Sequence, residues 1–572
     1  MKQAYSNMLK KLSLIAIAIL TMVGAYAQPK REIRAVWLST NGGLDWPKGV
    51  YNINTQKKNL CAILDDLASI NINTILFQAQ VKGDVLWDSS IQPFYRYITG
   101  NASSSMTYDV SKFVIEECHK RGMECHAWIV PYRIGSNTYW KAYSNNVHKH
   151  VAELHPEWVV EYENNYFLDP GLPAVREYLL DVYSELIAGY DFDGVSFDYT
   201  RYPGQDFDDA ASFAEYNPDG LSLADWRRNN INTFMAEFYD MAKSINPHIK
   251  VGSSPIGTYK NAPGYGNFAG YTGVYQDAAQ WMNSGHHDLI VPMMYYNERH
   301  GFSVHMNMWI DVITSHRQIA IGLAPYKMVD GTNDWAVSEL TGQIDKIRAK
   351  SDLSGMCFFR VDHVLGSESK IQDFYNELRE NYFAYPAHIP VMTYNGVTTP
   401  ATPANVRQER VGNEYVITWD KNDDSSAEAP TKYYEVYLAN GSSVDVNDMQ
   451  TVVGHYVTDN QFVYESEDEG LRFAVTAFDI NYYESAPSMA SGIEPINEQA
   501  PSKIFYADDC LRFSSDDLVR SVDIYNASGI RFIYRRVNAH DDYVDCSSLP
   551  QGFYIAVVNI ENQRPKVVKF LR

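Results

Sequence analysis

Residues 193–204 read DGVSFDYTRYPG. Gly194 to Phe197 is a short run with the texture of a fully buried strand, yet it stops on a carboxylate, Asp198. An arginine, two tyrosines and a proline crowd in behind it (Tyr199, Arg201, Tyr202, Pro203). Working outward, short β-branched or aromatic runs recur on both sides: 33–38, 74–80, 124–130, 250–253, 289–294, 319–323 and 355–359. Longer helical patterns lie between them, at 55–70, 108–122, 174–189, 222–245, 304–316 and 337–351. Parallel strands need helical crossovers, and eight strand–helix units over residues 31–385 predict an α/β fold, a (β/α)8 TIM barrel with long loops. A doubly wound open sheet competes with it, but no Gly-x-Gly-x-x-Gly opens any of the helices.

The whole chain sets limits on this reading. At 572 residues it is long enough for two to four domains. Asp and Glu number 70 against 48 Lys and Arg, and the net charge of -22 repels a phosphate backbone, so no nucleic-acid partner is expected. The 42 tyrosines and 11 tryptophans supply rings for a core and, in a cleft, for sugar faces. Lys2, Lys10 and Lys11, the apolar run from Leu12 and Ala25-Tyr26-Ala27 ahead of Gln28 read as a signal peptide, residues 1–27. The expected location is therefore outside the cytoplasm: periplasm, cell surface or secreted. No later stretch is long enough for a membrane span. Six cysteines match no zinc spacing; only Cys510 with Cys546 is a pairing worth testing, and the others read as buried free thiols.

After Tyr385 prolines space out a polar linker, 386–401. Residues 402–494 alternate short strands and turns, predicting a β-sandwich; PANVRQERVGNEYVITWD and KYYEVYL resemble a fibronectin type III module. Residues 500–572 are again β-rich. Their ending, LPQGFYIAVVNIENQRPKVVKFLR, resembles the C-terminal sorting domains of Bacteroidetes exported proteins, which implies export machinery as a partner.

In a barrel the C-terminal strand ends face the substrate. Those ends offer Gln78, Gln80 and Asp84 after the second strand, Trp128, Tyr132 and Arg133 after the third, and Asp198 and Arg201 after the fourth. The sixth to eighth strands add Tyr295 and Glu298, Tyr326, and Arg360 with Asp362. Carboxylates, amides and rings around one cup suit a sugar. Each also has a plainer explanation: Asp198 as a helix cap or an ion-pair partner, Glu298 and Asp84 as solvated loop acids. His126, His286 and His287 lack the paired ligands of a metal site, and neither metal nor cofactor is expected.

The blocks REIRAVWLSTNGGLDWP, FQAQVKGDVLWDSSIQPF, HAWIVPYR and HPEWVVEYENNYFLDPGLPAVREYLLDVYSELIAGYDFDGVSFDYTRYP resemble the glycosyl-hydrolase-like family ten, over residues 31 to about 385. The resemblance implies a TIM-barrel hydrolase of glycosidic bonds, with Asp198 matching the family's strand-four acid and Asp84 its Gly-Asp motif. Many relatives carry a second acid directly after the strand-four aspartate, where this chain has Tyr199. FDGVSFDYTRYP is also similar to the family-18 chitinase signature, but Thr200 stands where that family has its acid. The expected activity is hydrolysis of a polysaccharide, cell-wall glycan among the options. Asp198 is one carboxylate, Glu298 the other, and Asp84 is in reserve. Gln78, Gln80, Trp128, Tyr132, Arg133, Arg201, Tyr295, Tyr326, Arg360 and Asp362 are the substrate-binding candidates. A non-catalytic glycan-binding or adhesion protein using the same cleft is the alternative.

Overall fold

The computed structural model describes residues 28–424, 428–492, 503–507, 509–526, 530–561 and 565–572; the predicted leader lies outside them. Eight parallel strands close into a barrel. They are β1 (Ile33–Leu38), β2 (Thr74–Gln78), β3 (Glu124–Ile129), β4 (Gly194–Phe197), β5 (Lys250–Ser253), β6 (Leu289–Ile290), β7 (Gln318–Leu323) and β8 (Gly355–Phe358). Closure is direct, with Ile33 of β1 in register with Gly355 of β8. Each strand is followed by a helix: α1 (Ile53–Ser69), α2 (Val110–His119), α3 (Pro173–Gly189), α4 (Leu223–Ile245), α5 (Ala278–Asn283), α6 (Phe302–Val312), α7 (Val337–Arg348) and α8 (Ser369–Glu377).

Side chains alternate across each stave, as a strand's two-residue period requires. Val36, Leu38, Ile75, Phe77, Val195 and Phe197 point outward into the core shared with the helices. Trp37, Leu76, Trp128, Leu289, Val291, Ala320 and Cys357 point inward and fill the barrel with a second buried cluster. The interior is packed, so chemistry is confined to its ends. At the N-terminal end, Lys250 Nζ donates to Glu124 Oε1 at 2.7 Å, and His126 Nε2 lies 3.1 Å from Glu124 Oε2. Burial alone would raise the Glu124 pKa, but the charges of Lys250 and His126 hold it down at about 2.

Residues beyond the barrel form two packed layers. One contains β9 (Ala404–Val411), β10 (Glu414–Asp420) and β13 (Gln461–Glu465); the other has β11 (Thr431–Ala439), β12 (Val452–Val457), β14 (Arg472–Asp479) and β15 (Ser488–Met489). Ile417 and Trp419 from the first share a core with Tyr434, Val436, Phe473 and Val475 from the second. This sandwich seats on the N-terminal face of the barrel. Tyr482 donates its hydroxyl to Glu124, Lys432 Nζ donates to Asp193 Oδ1 at 2.8 Å, and His119 Nε2 lies 2.8 Å from Asp193 Oδ2.

The first part of the stretch read as a linker, through Met392, is packed, and Val397 beyond it is exposed. His388 exchanges backbone hydrogen bonds with Glu32 and Lys30, Met392 N donates to Asn481 O, and Ala387, Ile389 and Met392 are buried. Proline spacing alone does not separate a spacer from a chain pinned between two cores. Residues 491–572 form a separate unit. It is an antiparallel sheet built on the long strands Cys510–Asn526 and Arg531–Asp545, with Leu511, Val522, Ile524, Tyr554 and Val558 in its core. All six cysteines are free thiols, Cys510 and Cys546 included. Among the described residues no helix is long and apolar enough to cross a membrane.

Candidate active site

The site is built from the end of β4. Gly194, Ser196 and Asp198 share its inward face. Gly194 has to lack a side chain, since a Cβ there would meet the His126 ring at 2.7 Å. Asp198 leaves the barrel top with its own N–H bonded to Ile129 O at 2.9 Å and is 5 % exposed. Its Oδ2 accepts from Trp128 Nε1 at 3.3 Å and its Oδ1 from the Tyr199 N–H at 2.7 Å. Burial raises the Asp198 pKa above the usual carboxylate value; the Arg201 charge and these two hydrogen bonds pull back against it without cancelling it. Tyr199 makes its bond from a left-handed conformation, φ 52°, which a non-glycine residue adopts at a cost.

Several sequence candidates lie close to this carboxyl or to the residues beside it. The Arg201 guanidinium lies 4.3 Å over the Tyr199 ring and Arg133 lies 5.9 Å from it. Tyr295 is close enough for the Asp198 charge to act on its hydroxyl, and it packs edge-on against Tyr326 at 6.0 Å. Polar atoms around Asp198 are left without partners among the described residues: Arg201 Nη1, Arg133 Nε, Tyr295 Oη, and the hydroxyls of Ser196 and Ser254. Buried donors in that state are normally satisfied by water or by a ligand.

Other candidates are engaged in structure. Glu298, expected as the second carboxylate, sits on an exposed turn. Its Oε2 accepts from Lys346 Nζ and Ser303 Oγ, both at 2.8 Å. Partial burial is outweighed by those two partners, so its pKa is lowered, the opposite of what a proton donor needs. Asp84 is fully buried and accepts from Tyr139 Oη at 2.5 Å and from Tyr143 Oη, which anchors the loop after β3. Gln80 bonds Gln92 and Tyr183, and Tyr132 packs on Phe234 in the outer core. Gln78 Oε1 accepts from Ser39, Thr40 and Asn41 and shapes the β1 loop. Arg360 is divided between Asp45 and Asp362, with Lys48 Nζ on the far oxygen of Asp362 at 2.5 Å.

One carboxylate at the rim escaped the sequence reading. The loop after β3 carries a hairpin, Val159–Tyr162 paired with Asn165–Leu168, turning on Glu163 (φ 47°) and Asn164 (φ 59°). Two positive φ values across a two-residue loop are the turn that matches strand twist. The alternation in VVEYENNYFL and its Asn-rich apex carried that signal. The Tyr162 hydroxyl donates to Asp206 at 2.7 Å, and Gly204 must be glycine because a Cβ would fall 2.0 Å from that hydroxyl. The hairpin therefore docks on the β4 loop. Glu163 lines a cleft of about 230 Å³ with Arg133, Asn165, Tyr199, Arg201 and the exposed Phe268.

Residues 32–336 match the family described as Glycosyl hydrolase-like 10. A glycosyl hydrolase of Bacillus subtilis strain 168, YngK, is 31% identical over 440 residues, which span 73% of this chain and 84% of that protein. The chain belongs to the Glycosyl hydrolase-like 10 family. DigH, a glycosyl hydrolase of Escherichia coli K12, is 32% identical over 372 residues, 59% of this chain and 84% of that one. Among solved structures, the PgaB (BpsB) glycoside hydrolase domain of Bordetella bronchiseptica is 12% identical with a TM-score of 0.44, covering 61% of this chain and 98% of that one. The Glycosyl hydrolase-like 10 match contains Trp128, Arg133, Glu163, Asp198, Arg201 and Tyr295 and ends before β8, which closes the barrel beyond it.

Proposed function

We propose that this protein is an exported glycoside hydrolase that cleaves a polysaccharide bearing acidic groups, cell-wall glycan being the favoured class. The observation that carries the reading is Asp198, a nearly enclosed carboxyl with a raised pKa at the end of β4, surrounded by donors that lack partners. Protonated, it serves as the general acid that delivers a proton to the leaving glycosidic oxygen as the C–O bond breaks. Glu163 is the second carboxylate, activating water or attacking the anomeric carbon from the hairpin side. Arg133 and Arg201 bring unpaired N–H groups to the cleft that Glu163 lines and suit a carboxylate on the sugar. Tyr295 and Phe268 supply ring faces. The signal-like leader supports export, and the resemblance of residues 500–572 to a sorting domain supports surface delivery.

The test is product release from a panel of acidic and neutral polysaccharides by the wild type and Asp198→Asn. Turnover that survives in the variant would sink the role given to Asp198. Binding without turnover in both would favour the glycan-binding reading, which draws on Tyr199 standing where the family resemblance implies a second acid.

A further inference from the structure

Away from the barrel top, three metal-capable side chains meet where the sandwich seats on the barrel. His388 follows α8, Glu435 lies on β11 and His455 on β12. One ligand atom from each lies within 4.8 Å of the others, and His388 and Glu435 are buried. An ion pair explains part of this, since His455 Nδ1 lies 2.9 and 3.1 Å from the two Glu435 oxygens. It does not explain His388. That ring is 1 % exposed, its Nε2 has no partner among the described residues, and its Nδ1 has only the Tyr433 hydroxyl at 3.5 Å. A buried imidazole with no good hydrogen bond, facing a second imidazole and a carboxylate, is an unused ligand.

We propose that His388, Glu435 and His455 bind a divalent transition-metal ion, zinc by ligand type, which clamps the sandwich to the barrel. Two imidazoles and a carboxylate are a recurrent zinc set, with metal–ligand distances of about 2.0–2.2 Å that bring the ligand atoms roughly 3.3 Å apart. From separations of up to 4.8 Å, binding would draw the ligand atoms together by as much as about 1.5 Å, which rotation of the partly exposed His455 side chain can supply in part. The carboxylate is already oriented by the Tyr456 N–H, which donates to Glu435 Oε2 at 3.2 Å. His455 is 27% exposed at its side chain, which leaves a path for the ion and for a water as fourth ligand. Of the cations nearby, Lys30 is neutralised by Glu484, and the Arg31 guanidinium is spent on Ile389 O and the Phe478 ring.

The experiment uses the full chain, stripped with a chelator and titrated with ZnCl2 by calorimetry and with CoCl2 by absorption. The expected result is one saturable zinc per chain, a Tm that rises on adding zinc, and a Co(II) spectrum of nitrogen and oxygen ligation. His455→Ala and Glu435→Gln should each raise the Kd at least 100-fold and abolish the Tm response. His455 is the partly exposed member, so its variant is the one expected to fold, and the cobalt spectrum of the wild type needs no variant. No saturable binding to the wild type, binding undiminished in both variants, or a Co(II)–thiolate band tracing the ion to a cysteine would each overturn the proposal.

Discussion

Asp198 concentrates the functional argument in one residue. Burial raises its pKa, so its folded value exceeds its unfolded one. The linked stability is then fully present below the unfolded pKa and is lost as pH rises through the folded value. Two outcomes follow. Turnover should fall as pH rises through that value, giving the basic limb of a kcat/KM profile, and Asp198→Asn should lose about 10²–10⁴ in kcat while melting higher than the wild type at pH 8. Trp128→Phe removes a hydrogen bond that favours the charged form. It should therefore move the basic limb to higher pH, a shift that a merely structural tryptophan would not produce. Glu298→Gln should leave turnover within about twofold, because exposed ion pairs such as that with Lys346 contribute about 0–1 kcal/mol.

At the scale of elements, the loop after β4 and the hairpin after β3 hold the cleft together. Arg227 on α4 grips that loop from beneath. Its Nε and Nη2 donate to Asp209 at 2.8 and 2.6 Å, and it also donates to the carbonyls of Gln205 and Phe207. Both charges are enclosed, and removing one partner of such a pair costs about 3–5 kcal/mol. Arg227→Met should lose that much in a denaturant melt and reduce kcat by loosening Tyr199 and Arg201. Glu163→Gln should reduce kcat without a comparable loss of stability, since its side chain is exposed at a hairpin tip. The barrel was legible because strand burial and helix amphipathicity are periodic along the chain. Asp198 was legible because a charge ending an apolar strand conflicts with local pattern. The ties of Asp84 to two tyrosines 55 and 59 residues away, and of Glu298 to Lys346, are long-range contacts that leave no mark on a local pattern. The short α5 and the α8 that closes the last unit also escaped the helical pattern, each being nine residues or fewer.

For the whole molecule, the sandwich completes the barrel floor. Asp193 is held ionised, well below the usual carboxylate range, by Lys432 and His119 despite its burial, and the His119 pKa is raised by Asp193 against its own burial. The His119 contribution is therefore present below its unfolded pKa and lost as pH rises through the raised one. Lys432→Met should cost about 3 kcal/mol and steepen that loss between neutral and mildly alkaline pH, as followed by thermal melts across pH 6–9. A barrel truncated at residue 390 should melt well below the full protein, since Glu124 and Asp193 would each lose a buried partner. Trp37, Leu76 and Trp128 fill the barrel interior, so no passage joins its two ends, and a ligand held at the rim enters and leaves on the same side. Changes in the rim loops should then alter what is bound, and changes in the sandwich should alter durability alone.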